Sequence, residues 1–434
     1  MYPSMEGQIR DLLHTLREEF RAARPGKIVR RRIHPPDLAS KIDALIGMRR
    51  TGKTWLLFQI AADLEAAGVP ADAVLYVNWE DDRLLPAGAR DLAGLVGAFY
   101  SEHPENHDRT CHLLLDEIQN VSGWSRVARR LLDTRRVRIH VTGSSARLLG
   151  REIATELRGR SLPTEIWPYD FREWLEAIGS PPSGPPRGQR SRDRMIGALA
   201  RYIEEGGFPE TAGIDPVNRR RILLDYVQVV LFRDIVERHE VKNTTLIRYL
   251  IRTLLRSPGR AFSIHRFLSD LRSQGIRASK TALHEYLGHV EDAYLAFAVP
   301  LYSESIRRTQ SNPRKVYSVD TGLSRAVNPG AGRDMGHLFE NLVYLDLRRR
   351  GCEVFYYLTG DRKECDFVAR FPDGETRLYQ ACWDPSDEET LGRESRALEA
   401  AMREIGVGGE IVTPGTYLDG IIDERTGVAG RGSA

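Results

Sequence analysis

The sequence predicts an α/β protein: a parallel sheet under a helical lid, then a winged-helix domain, then a second, small α/β domain. Three observations predict it. An apolar run, Ala44-Leu45-Ile46, enters Gly47-Met48-Arg49-Arg50-Thr51-Gly52-Lys53-Thr54, and a helical apolar pattern follows at once (Trp55, Leu56, Phe58, Ile60, Ala61, Leu64). Further apolar runs follow at intervals suited to strands, and one of them ends in Asp116-Glu117. Beyond residue 244, three helical patterns and two strand patterns lead into a helix and three strands that carry spaced carboxylates.

The loop at 47–54 has the G-x-x-x-x-G-K-T spacing of a P-loop, in the strand-to-helix context that the motif needs. Gly47 and Gly52 let the backbone curl so that its N–H groups face phosphate. The helix N-terminus adds partial positive charge. Lys53 is placed to reach the β- and γ-phosphates, and Thr54 to ligate Mg²⁺. The nucleotide-contacting stretch is expected to run through Gly47, Met48, Arg49, Arg50, Thr51, Gly52, Lys53, Thr54 and Trp55.

Ahead of this loop, residues 1–35 read as a helix and a basic, Pro-containing strap. The ATPase core is expected over 36–180. Within it, Ala73–Asn78 reads as a second strand, followed by Trp79-Glu80-Asp81-Asp82. These acids either approach Mg²⁺ through water or cap the next element. A helix is expected around Asp91–Tyr100. His112–Asp116 reads as a Walker B strand, in which Asp116 holds the Mg²⁺ shell and Glu117 orients the attacking water. The strand between P-loop and Walker B, with a glutamate beside the latter, fits P-loop ATPases that hydrolyse with a protein carboxylate. Val137–Thr142 is a fourth strand. Ser144, just past it, either senses the γ-phosphate or caps a loop turn. Arg158 and Arg160, ahead of a fifth strand, are candidate arginine fingers, acting on their own subunit's site or a neighbour's, or else surface residues.

Residues 181–243 read as a Pro/Gly/Ser/Arg-rich linker and a helical lid, broken at Gly206-Gly207-Phe208-Pro209. Residues 244–328 read as a winged helix, with helices over Thr245–Arg256, Ser263–Ser273 and Ser279–Tyr294 and strands over Val299–Ser303 and Lys315–Val319. From Thr244 to Arg350 there are 17 Lys/Arg against 9 Asp/Glu, a local excess that suits the phosphates of duplex DNA. The candidate DNA contacts are Arg277, Lys280, His284, Arg307, Arg308, Arg314 and Lys315. A protein-contact module with these arginines on a solvated face is the alternative.

Residues 329–418 have the layout of a PD-(D/E)xK nuclease domain: Glu340 on a helix, Asp366 on a strand, then Gln380 and Cys382 two apart on the next strand. In that layout carboxylates hold Mg²⁺ and a lysine activates water. Here the lysine position holds Cys382, whose neutral thiol cannot replace an ammonium, so an inactive site is expected. Residues 419–434 read as a flexible tail.

Composition narrows the class. At 434 residues the chain has room for three or four domains. Its net charge of +3 names no partner by itself. The four cysteines form no C-x-x-C pair, which argues against a zinc site or disulfide framework and fits a reducing cytoplasm. No apolar run is long enough to span a membrane, and the polar, helical N-terminus does not read as a signal peptide.

Taken together, GMRRTGKT (47–54), LLLDEIQ (113–119), TGSSARLL (142–149), LRGRS (157–161), KVYSVDTGL (315–323) and GHLFENLVYLDL (336–347) resemble a large prokaryotic family of AAA-type ATPases. Its members carry a winged helix and a C-terminal restriction-endonuclease-like domain of unassigned function. The resemblance covers about residues 30–385. It implies a P-loop ASCE/AAA- or STAND-type fold, ATP and Mg²⁺ as ligands, ATP hydrolysis, and homo-oligomers or a nucleotide switch. Cys382 is the departure that matters.

Overall fold

The protein is described by a computed structural model covering residues 5–23, 28–36, 38–143, 157, 159–181, 188–305, 307, 309, 313–330 and 334–420. Three candidate residues, Ser144, Arg158 and Arg308, lie outside these, as do 182–187 of the expected linker and 421–434 of the tail. The chain divides into two compact units, Met1–Ile166 and Trp167–Ala434. The first ends earlier than the expected core, so the helix Phe171–Ala177 groups with the second unit.

The first unit is a five-stranded parallel sheet. Its strands are β1 (Ile42–Ile46), β2 (Val74–Asn78), β3 (Cys111–Asp116), β4 (Val137–Gly143) and β5 (Ser161–Glu165), in the order β2-β3-β4-β1-β5. The central strands are apolar along nearly their whole length because helices cover a parallel sheet on both faces. Every residue of β1 is buried. Placing β4 between β1 and β3 brings the ends of the P-loop strand and the Asp-Glu strand to either side of one polar residue, Thr142. Helix α1 (Met5–Ala23) packs into the same unit: Phe20 stacks on Tyr76 of β2 at 4.5 Å between ring centroids and joins Phe58. The helix following the P-loop is α2 (Lys53–Ala66).

In the second unit, helices at Gln189–Glu205 and Pro216–Val229 flank the Gly206-Gly207 break, and the latter continues as a π-helix over Val230–Glu237. Gly207 packs so closely on Tyr169 that a Cβ would lie 2.3 Å from its carbonyl oxygen. Asp320 accepts hydrogen bonds from Gly207 N (2.6 Å) and from Leu323 N (2.9 Å), so it both clamps the break and caps the helix Thr321–Val327.

Three helices follow, Thr244–Arg256, Ile264–Ser273 and Lys280–Asp292, each begun by a side-chain cap, from Asn243, Ser263 and Ser279 respectively. They accompany a three-stranded antiparallel sheet of β6 (Ala261–Phe262), β7 (Ala296–Val299) and β8 (Arg314–Ser318), in the order β6-β8-β7. The strand expected at Val299–Ser303 lies instead at Ala296–Val299, because Pro300 has no N–H to continue the ladder.

The last part is a four-stranded sheet, β9 (Glu353–Leu358), β10 (Glu364–Arg370), β11 (Thr376–Ala381) and β12 (Gly409–Val412) in sequential order. It carries the helix Met335–Arg349 and the helix Glu388–Ile405, whose Leu398 and Ala401 pack on Cys365, Val368 and Leu378. Among the described residues, no helix is long and apolar enough to cross a membrane.

Candidate nucleotide site and carboxylate cluster

The P-loop is built as its residue types require. Gly47 has φ +153°, and a Cβ there would lie 2.2 Å from the Ile166 carbonyl oxygen. Gly52 caps α2 at φ 94°. Both positions therefore exclude side chains, one by contact and one by conformation. Lys53 is buried, and its Nζ donates to the carbonyls of Gly47 (3.0 Å) and Met48 (2.9 Å), which draws the ammonium across the loop. Thr51 Oγ1 donates to Met48 O at 3.0 Å, and the Arg31 guanidinium donates to Thr51 O at 2.7 Å. Arg31 also donates its backbone N–H to Gln59 of α2. The basic strap thus braces the loop from behind. Trp55 is 46% exposed and meets Phe58 edge-on. Arg49 pairs with Glu80, and Asp81 caps the turn at Arg83 while pairing with its guanidinium. Of the acids after β2, Asp81 thus takes the capping role.

At the end of β3, Asp116 is buried, and burial pushes its carboxyl above the usual range. Hydrogen bonds from Thr142, Thr54 and Tyr76 pull the other way. Tyr76 donates to Asp116 Oδ2 at 3.0 Å, and Thr142 donates to Oδ1. A carboxylate and a threonine hydroxyl in contact are hard oxygen donors, so Thr54 and Asp116 fit an Mg²⁺ shell. Glu117 sits at φ 51°, a left-handed turn that swings its side chain off the strand line. Its backbone N–H donates to Thr142 Oγ1 at 2.8 Å, and its carboxylate accepts from Gln119 Nε2.

Thr142 is the residue that the sequence reading passed over in favour of Ser144. It is fully buried and touches both members of the Asp-Glu pair. A polar residue near the end of an otherwise apolar central strand was the available signal.

Arg160 is not placed to act on its own phosphate site. Ser161 pairs with Ile42 at the start of β1, whereas the P-loop leaves the other end. That separation is about 13 Å along the strand at 3.3 Å per residue. Its guanidinium is instead paired with Asp133.

In the second unit, Arg277, Lys280 and His284 are exposed, and Arg307 is exposed as well. Burial, then the charges of Lys280 and Arg314, lower the His284 pKa, so these three groups lie near one another. Lys315 departs from the expectation. Its side chain is 2% exposed, and Nζ lies 2.6 Å from Glu340, 2.8 Å from Glu364 and 3.0 Å from Asp366. A buried ammonium among three carboxylates does not reach DNA phosphate. Part of the local basic excess therefore never reaches the surface.

The same cluster answers the nuclease reading. Glu340 and Asp366 are brought together, and the Gln380 amide oxygen accepts from Asp366 N at 3.1 Å. Cys382 is buried, and burial raises its thiol pKa, which keeps it neutral. Lys363 pairs with Asp361 and is 41% exposed. Tyr317 OH donates to Glu340 at 2.7 Å. Lys315 and Tyr317, and Glu364 and Asp366, were legible as same-face pairs two apart on their strands. Nothing local shows that the two pairs meet.

Residues 39–175 match the family described as AAA domain, and residues 196–334 match a domain of unknown function, DUF8612. An uncharacterized protein of Methanocaldococcus jannaschii, MJ1544, is 32% identical over 89% of this chain and 85% of its own length. An uncharacterized protein of Haemophilus influenzae is 30% identical over 76% of this chain and 80% of its own. Among solved structures, the Walker-type ATPase PABY2304 of Pyrococcus abyssi is similar at 12% identity and a TM-score of 0.41, over 66% of this chain and 90% of that one. The chain belongs to the family of the Methanocaldococcus jannaschii protein, and over residues 39–175 it carries a P-loop domain of the AAA ATPase type.

Proposed function

We propose that the protein binds and hydrolyses ATP with Mg²⁺, and that its nucleotide state repositions a winged helix and a nuclease-like domain on duplex DNA. The observation that carries the first part is the single polar junction at Thr142. It links Asp116 to Glu117 beside a P-loop whose lysine bridges Gly47 and Met48. In this reading the Gly47–Trp55 stretch wraps the phosphates and Lys53 meets the β- and γ-oxygens. Thr54 and Asp116 hold the ion. When bound, Mg²⁺ neutralises phosphate charge. Glu117 orients the attacking water, and its carboxylate must leave Gln119 to do so.

The DNA part rests on the exposed Arg277, Lys280 and His284 at the start of the third helix, with Arg314 beside them. Phosphate contacts by such groups weaken as salt rises. Arg160 serves as a finger only across a subunit boundary, which ties that role to homo-oligomers, and Arg158 is a second candidate finger. Steady-state phosphate release with and without duplex DNA, at two salt concentrations, tests the reading. DNA stimulation that fades with salt is expected.

The second reading is a slow, nucleotide-gated protein-interaction switch with an inactive nuclease-like domain. It is favoured by the Gln119–Glu117 hydrogen bond, which engages the hydrolytic carboxylate with a side chain in place of the attacking water. Slow turnover that ignores DNA, together with ATP-dependent assembly, selects this reading.

A further inference from the structure

We propose that Lys315 is the resident cation of the Glu340–Glu364–Asp366 cluster, its ammonium filling the position that a divalent metal would need, so that this centre holds no metal and cuts no phosphodiester. The inference rests on the nuclease-like reading of the C-terminal sheet only for what a metal would do there. It is independent of the ATPase.

The geometry is that of a completed ammonium site. An ammonium has three N–H donors. Lys315 Nζ faces three carboxylates, one from the helix Met335–Arg349 and two from β10, at 2.6, 2.8 and 3.0 Å. Magnesium takes oxygen ligands at about 2.0–2.1 Å in near-octahedral order and keeps several waters. For a metal to enter, the ammonium must leave, and the lysine side chain is 2% exposed.

Further donors hold the two buried carboxylates. Asp366 Oδ2 accepts from Ala381 N at 3.0 Å. Glu340 Oε1, the oxygen that faces Lys315, also accepts from Tyr317 OH at 2.7 Å. Gly259 approaches the other Glu340 oxygen so closely that a Cβ would stand 2.8 Å from it. Gln380, at the second acidic position of the nuclease pattern, spends its oxygen on Asp366 N and its amide N–H on Glu394. The donor set that the nuclease pattern requires is therefore taken apart at each position: the carboxylates answer to Lys315, the amide to Glu394, and the lysine position holds a neutral thiol. Lys315 also joins strand β8 to a helix and strand of the C-terminal sheet.

The test is a terbium(III) titration of the full chain without nucleotide, read as luminescence sensitised by Tyr317. Wild type is expected to show no terbium site that Asp366→Asn removes. Lys315→Met is expected to open a one-to-one site that Lys315→Met/Asp366→Asn loses, with circular dichroism checking that each variant is folded. Should Lys315→Met not fold, Glu364→Gln replaces it, since Glu364 is 42% exposed. Terbium luminescence unchanged between wild type and Glu364→Gln supports the proposal. Wild-type luminescence that falls in Asp366→Asn or Glu364→Gln overturns it, as does a folded Lys315→Met with no new site.

Discussion

Two buried lysines do opposite work in this chain. Lys53 spans a loop by donating to two backbone carbonyls, whereas Lys315 donates to three carboxylates. A carbonyl is a neutral dipole that an incoming phosphate oxygen can outbid, because hydrogen bonds to charged acceptors are roughly twice as strong as neutral ones. A carboxylate is already charged, and an incoming anion gains nothing from replacing it. The difference teaches that the partners of a lysine, rather than its burial, decide whether it recruits a ligand or closes a centre.

The largest expected effect tests the recruiting lysine. Lys53→Ala abolishes ATP binding, measured by fluorescent-nucleotide titration, and leaves the circular dichroism spectrum unchanged. Next is the hydrolytic carboxylate. Glu117→Gln retains binding and slows phosphate release by about 10²–10⁴, the usual contribution of a positioned acid–base group. Unchanged turnover would remove Glu117 from the mechanism.

The closing lysine predicts a stability effect. Removing one partner of a buried ionic cluster costs on the order of 3–5 kcal/mol, so Lys315→Met unfolds at lower denaturant while ATP binding at the first unit persists. Cys382→Lys, which restores the nuclease pattern on paper, is expected to leave metal-dependent plasmid cutting undetectable. Cutting that appears in Cys382→Lys and disappears with Asp366→Ala would contradict the closed-centre account.

The pH dependence sharpens the same contrast. Burial, followed by the nearby negative charge of Asp366, pushes the Glu340 carboxyl above the usual range, against the pull of Lys315 and Tyr317. The folded state therefore binds a proton that the unfolded chain has released. The stability carried by that proton is full below the unfolded carboxyl's value and is lost as pH rises through the raised folded one. Denaturant midpoints of the wild type are expected to fall as pH rises from the acid side of the carboxyl range toward neutrality, and Glu340→Gln to flatten that slope.

How much of this was legible in the sequence differs between the two centres. The P-loop and the Asp-Glu strand were readable because each function is carried by consecutive residues whose types the chemistry dictates. Thr142 was missed because its role comes from strand order, β4 lying between β1 and β3, and strand order is not local. Whether Arg160 could serve its own subunit was not legible for the same reason: its place at the start of β5 is fixed by register with Ile42. The carboxylate cluster was half legible. Glu340, Asp366, Gln380 and Cys382 follow a spaced pattern, but the cation comes from β8, 25 residues before Glu340 and 51 before Asp366. Read within KVYSVD alone, Lys315 is one more basic residue in a basic stretch.

The most direct measurement of the central claim is steady-state phosphate release by wild type and Glu117→Gln, with and without duplex DNA, at low and high salt. The account predicts Mg²⁺-dependent release by wild type, stimulated by DNA at low salt and less so at high salt, and near-absent release by Glu117→Gln. Release that is equal in both proteins would contradict the assignment of the site.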